Sequence, residues 1–157
     1  MSYDLLVFDP AVAPKDRQAF LEWWHGVGEW TEGHSYDDPA VTTPGLRDWF
    51  DEMRERFPAM NGPFASQDYD NPCVTDYSIC LNAIYAAFAW SQAEEAYPVV
   101  RELAVKHAVG FYDASGDEGD GEIYFPGDAL RPASNGQWRQ VAADFRSGDV
   151  GKYIPKD

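Results

Sequence analysis

The sequence predicts an α+β domain built on a β-α-β-β-α-β core, and three observations carry that prediction. Leu5-Leu6-Val7-Phe8 and the run Ile84 to Trp90 are apolar without alternation, the pattern of strands covered on both faces. Thr75 to Leu81 alternates instead, with Tyr77, Ile79 and Leu81 on one side and Asp76, Ser78 and Cys80 on the other, as a half-exposed strand does. Leu46, Trp49, Phe50, Met53 and Phe57 recur at the spacing of one helix face, a stripe that can cover such a sheet.

The elements follow in order. A first strand over Tyr3 to Phe8 ends at Asp9-Pro10. Pro14 suits a first helical turn, and Phe20, Leu21, Trp24 and Val27 keep helical spacing to about Trp30, with Gly26 and Gly28 weakening the end. Thr31 to Thr43 reads as a polar loop. Thr43 and Pro44 are the expected N-cap and first residue of the second helix, which Pro58 follows. Ala59 to Pro72 is irregular. The alternating strand then turns near Asn82 into the apolar one as a hairpin. Ser91-Gln92-Ala93-Glu94 reads as a capping box opening a third helix. Pro98 should kink that helix or delay its start. Val109 to Ala114 and Glu122 to Phe125 are strands around the acidic turn Ser115 to Gly121. After Pro132 a short helix carries Trp138, Val141, Ala142 and Phe145 and stops near Gly148.

This order is the ferredoxin-like split βαβ pair, with an extra helix after the first helix and an added C-terminal strand and short helix. It places the first and third strands at the centre, read as parallel neighbours, and the second and fourth at the edges. Two helices cover one face, so the other needs the second helix, the C-terminal helix or a partner subunit. The chain is read as a single domain, 1–157, with a tail from about 148.

At 157 residues a chain buries roughly 70% of the surface it exposes when unfolded, and six Trp, nine Tyr and nine Phe supply a large apolar area. No disulfide, metal or cofactor is needed for stability. The two cysteines, Cys73 and Cys80, are read as reduced, because two thiols make no secreted framework. Met1-Ser2-Tyr3-Asp4 has neither the basic region nor the apolar run of a signal peptide, so a cytoplasmic protein is expected. Twenty-seven acidic against twelve basic residues give a net charge of -15. That field repels phosphate backbones and anionic lipid, which argues against nucleic acid and membrane as partners. It favours a basic protein, and it also keeps a protein soluble.

The motifs are mostly negative. Val7-Phe8-Asp9-Pro10 resembles the first motif of the aspartate-nucleophile phosphatases, but Ala11 and Ala13 stand where that family needs a second Asp and a Ser or Thr. A calcium loop starting at Asp113 would want glycine at Glu118 and glutamate at Tyr124. His25, His34 and His107 lack ligand spacing to one another or to the cysteines. His107 falls on an apolar helix face. There is no nucleophile elbow and no phosphate loop. The opening Tyr3 to Pro10 and the stretch Ile84 to Glu95 resemble a group of small acidic bacterial proteins of unassigned function. The resemblance implies a bacterial source and brings no functional residues with it.

The expectation is a small acidic binding protein, of the immunity or inhibitor kind, that masks a basic toxin or nuclease and is not an enzyme. Its partner-binding residues would be Asp68, Tyr69 and Asp70 in one loop and Asp117, Glu118, Asp120 and Glu122 in the acidic turn. The alternative is a small ferredoxin-like enzyme or ligand-binding domain whose aromatic pocket would join Trp23, Trp24, Trp30 and His107; a purely structural protein is a further reading. A homodimer through the sheet accompanies that alternative.

Overall fold

Five strands form one sheet: β1 (Tyr3–Phe8), β2 (Asp76–Ile79), β3 (Ala83–Phe88), β4 (Gly110–Tyr112) and β5 (Ile123–Tyr124). Four helices accompany them: α1 (Arg17–Val27), α2 (Pro44–Arg56), α3 (Ala93–Lys106) and α4 (Trp138–Ser147). The computed structural model describes residues 1–130 and 138–153, so Pro132, expected before the last helix, lies outside the described residues. The strand order is β2-β3-β1-β4-β5 and every pairing is antiparallel. β1 and β3 are central neighbours, in register from Tyr3 opposite Phe88 to Phe8 opposite Ala83, but they are antiparallel and not parallel as expected. The reason is topological. β1 and β2 run the same way with β3 between them, and β3 and β4 run the same way with β1 between them. β5, not β4, forms the second edge, and β4 is buried along its length.

Both faces of the sheet are covered, which explains the unbroken apolar run of β1. Leu5 and Val7 enter a core shared with α2, α3 and α4, while Leu6 and Phe8 enter one shared with α1. The cover is divided differently from the expectation. The second helix joins α3 and α4 on one face, with Leu46, Trp49, Phe50 and Met53 buried, and among the described helices the first takes the other through Phe20. Trp49 Nε1 donates to the Val100 carbonyl at 3.2 Å, so even the indole of this core residue is satisfied. Phe8 lies across Gly110, where a Cβ would come within 2.1 Å of the ring; the α1 face packs tightly there because that position has no side chain.

Local signals differ in how they are used. Asp16, unread in the sequence, caps α1 by accepting from Ala19 N at 3.0 Å. Thr43 sits at the expected cap of α2 but makes no side-chain cap bond. The capping box fails: buried Trp90 anchors a 3-10 turn over Trp90–Gln92, Ser91 lies inside that turn, and α3 starts at Ala93. Pro98 lies within α3 and removes its bond to the Glu94 carbonyl. β2 stops at Ile79, because Cys80 N bonds the Ala83 carbonyl across a two-residue turn. Cys80 is therefore buried and Leu81 exposed, the reverse of simple alternation. The expected tail folds back as far as Tyr153, where Lys152 and the Tyr153 hydroxyl reach Asp144.

Candidate functional site

The acidic turn between β4 and β5 is a set of internal bonds. Asp117 takes both oxygens to Arg17 Nη2 at 2.6 and 2.5 Å, accepts from the Tyr112 hydroxyl at 2.5 Å, and accepts the amides of Gly119 and Gly121. Burial pushes its carboxyl up, but the Tyr112 hydroxyl, the two amides and Arg17 outweigh burial and hold it below its ordinary value. Glu122 is 6% exposed and forms a fork with Arg101, at 2.7 and 2.9 Å. Asp117 and Glu122, expected at a partner surface, are thus structural. Glu118 and Asp120 remain exposed at the tip. Asp113, read in the sequence only as a possible start of a calcium loop, is 2% exposed. It accepts Gly116 N at 3.0 Å, and burial pushes its carboxyl up to about 6, with the charges of Glu122 and Asp117 adding to the rise.

The aromatic residues do not make one pocket. Trp23 packs edge-on to Phe8 and beside Phe20, and Trp24 stacks on Tyr85 at 5.4 Å, both on the α1 face. His107 ends α3 on the opposite face and bonds Glu52 of α2 at 2.9 Å, where Lys106 also holds the Glu52 carboxyl below its usual range. Trp30 is 46% exposed and leans on Tyr36. The grouping of Trp23, Trp24, Trp30 and His107 is therefore overturned. Two buried polar atoms that sequence reasoning missed are the Tyr3 hydroxyl and Trp90 Nε1, with rings 5.2 Å apart and no hydrogen-bond partner among the described residues.

The outer edge of β2 is organised by the loop before α2. Ile79 N donates to the Tyr36 carbonyl at 2.7 Å, and Leu81 N to the Glu32 carboxylate at 2.9 Å. Glu32 also holds His34 Nε2 at 2.7 Å, while His34 Nδ1 faces the Ser35 carbonyl at 2.6 Å. Both ring nitrogens face acceptors, which suits the imidazolium; the Ser35 carbonyl first, and Glu32 next, raise the His34 value against the opposing effect of burial. At the other end of β2, Thr75 bonds Pro58 and Met60 backbone, and Gly62 abuts the Asp37 carbonyl. Asp68, Tyr69 and Asp70 are all exposed on the adjoining loop, Tyr69 at 83%. A shallow cleft of about 470 Å³ lined by Asp38, Arg47, Asp51 and Phe64 continues this edge onto α2.

Among the described residues no three His, Cys, Asp or Glu side chains gather as a metal site, and no helix is long and apolar enough to cross a membrane. Burial pushes the Cys80 thiol up to about 12, which leaves it a poor nucleophile. No protein-family model matches the chain, and neither a curated protein nor a solved structure shows significant similarity to it.

Proposed function

We propose that this protein is an acidic binding protein that masks a basic surface on a protein partner, as an inhibitor or immunity protein does. One observation carries the reading: among the described residues, seven lysine and arginine side chains pair with the chain's own acids. Arg17, Arg54, Arg56 and Arg101 pair with Asp117, Asp51, Glu95 and Glu122. Lys106, Arg146 and Lys152 pair with Glu52, Glu94 and Asp144. Arg47 bonds the carbonyls of Pro39, Ala40 and Thr42. With 27 acidic against 12 basic residues, pairing leaves acid in excess, and the net charge of -15 gives a long-range field suited to a basic partner. The frame β1-α2-β2-β3-α3-β4 supports a ferredoxin-like reading in which α2 is the crossover helix and α1 the insertion.

The test is recovery of the tagged full chain from its host at low salt, followed by salt elution. A stoichiometric basic protein whose affinity falls steeply with salt is the expected result. Recovery of the chain alone, or of partners that salt does not release, would overturn the reading.

A further inference from the structure

The outer edge of β2 carries an exposed apolar strip. Among the described residues nine large hydrophobic side chains are well exposed, and Trp30, Met60, Phe64, Tyr69 and Leu81 are five of them. They lie on backbone segments tied to one another along this edge: the Tyr36 carbonyl to Ile79, Glu32 to Leu81, the Met60 amide to Thr75, Gly62 against Asp37. Exposed apolar area gathered in one place marks an interaction surface more often than scattered side chains do.

The charge around the strip selects the occupant. Lys and Arg are absent from residues 18–46 and again from 57–100, and these two stretches supply all five side chains. Of the acids in these stretches, Glu29, Asp37, Asp38, Asp68, Asp70 and Asp76 lie on the same segments as the strip, and none of them is buried, so they form its rim along the chain. The bordering cations come from α2 and are engaged, Arg47 with backbone carbonyls and Arg54 with Asp51 and the face of Phe64 at 4.0 Å. A full added strand is opposed, because Pro58 and Met60 already bond the backbone of Thr75 and Tyr36 that of Ile79 along this edge. A second copy would bring the same acids against this rim, and like charges in apposition oppose docking.

We infer that this strip docks a basic segment of a partner protein, one that presents arginine or lysine interleaved with apolar side chains. The inference rests on the reading of the chain as an acidic binding protein, and it says where that binding occurs. Apolar side chains of the segment cover Tyr69, Met60 and Trp30, and its cations meet the rim.

The test is titration of the isotope-labelled full chain, at low salt, with a ten-residue peptide alternating arginine and leucine. Amide shifts concentrated in residues 29–38, 59–71 and 79–82 are expected. The double variant Tyr69→Ala with Met60→Ser should weaken binding about tenfold, while Val105→Ser, at an exposed apolar site on α3 away from this edge, should leave it unchanged. Tyr69 is largely exposed and Met60 about half exposed, and neither belongs to the buried core, so this variant does not threaten the fold. Shifts centred on the β4–β5 turn or spread over every acidic face would overturn the surface and leave the cationic-partner reading standing. So would equal weakening by both variants, or concentration-dependent self-association through these residues. Failure of the peptide to bind at all at low salt would overturn both.

Discussion

The β4–β5 turn and the β2 edge are both acidic loops, yet their carboxylates do opposite things. In the turn, Asp117 and Glu122 each hold an arginine, and Asp113 is buried beneath them. At the β2 edge, Asp68 and Asp70 point to solvent on a loop from a stretch without lysine or arginine. Density of acid in a sequence therefore says little about function; the position of the cations decides. The turn is stability, and the edge is surface.

The sharpest way to break this comparison is at Arg101. Its fork with Glu122 is 14% and 6% exposed on the two sides. Arg101→Ala strands a buried carboxylate, and the expected cost is about 3–5 kcal/mol, read as a lower urea midpoint. Replacing both partners by leucine should recover much of it, since no lone charge is left. A loss under 1 kcal/mol for the single variant would mean that the turn is as loosely held as the edge.

Asp113 gives the next effect, with a sign that separates it from an ordinary surface acid. Its folded value lies near 6, above the usual carboxylate range, so the folded state holds the proton more tightly than the unfolded chain. That contribution is fully present below the unfolded value of about 3.9 and is lost as pH rises through about 6. Asp113→Asn keeps an acceptor for Gly116 N and removes the buried charge. It should raise stability at pH 7 by about 2 kcal/mol and have little effect at pH 3.5, in melting curves recorded across that range. An equal gain at both pH values would sink the assignment of burial as the cause.

His34 brings pH sensitivity to the other region. Its value is raised, so its contribution is present below the ordinary histidine value and is lost as pH rises through the raised one. The groups around it are Glu32, the Ser35 carbonyl and the Tyr36 ring. Deprotonation leaves one nitrogen facing an acceptor without a hydrogen, and the tether through Glu32 to Leu81 N loosens. Amide exchange at Leu81 should quicken, beyond its intrinsic pH dependence, as pH rises through that value, and His34→Gln should remove the added step. Exchange that follows the intrinsic rate alone would show that the tether does not depend on the imidazolium.

Much of the frame was legible because periodicity reports burial directly. β1 and β3 read as doubly covered, and α2 read as an apolar stripe, since each pattern depends only on neighbours within one element. Which helix lies on which face was not legible, because α1 and α2 both carry such stripes and only the packing of Phe8 against Phe20 separates them. The roles of Asp117 and Glu122 were hidden for a similar reason. Arg17 lies 100 residues from Asp117 in the chain, and Arg101 lies 21 from Glu122. Local pattern cannot pair charges over such distances. The absence of lysine and arginine from 18–46 and 57–100 was visible in the sequence, but it gains meaning only when β2 brings the two stretches together.

The smallest expected effect is the strictest test of the comparison. Asp68→Asn with Asp70→Asn removes two exposed charges from the β2 edge, from a stretch, 57–100, that has no lysine or arginine. Surface substitutions of this kind stay within about 0.5 kcal/mol. Asp117→Asn removes one charge from the turn, and with it one side of the Arg17 pair, so it should cost more than the double change. The urea midpoints of the two variants decide the matter. If the edge variant proves as costly as Asp117→Asn, its acids are structural too, and the argument for a surface kept for a partner fails at its first step. If the midpoint holds and binding of the arginine–leucine peptide falls, those carboxylates serve recognition and not folding.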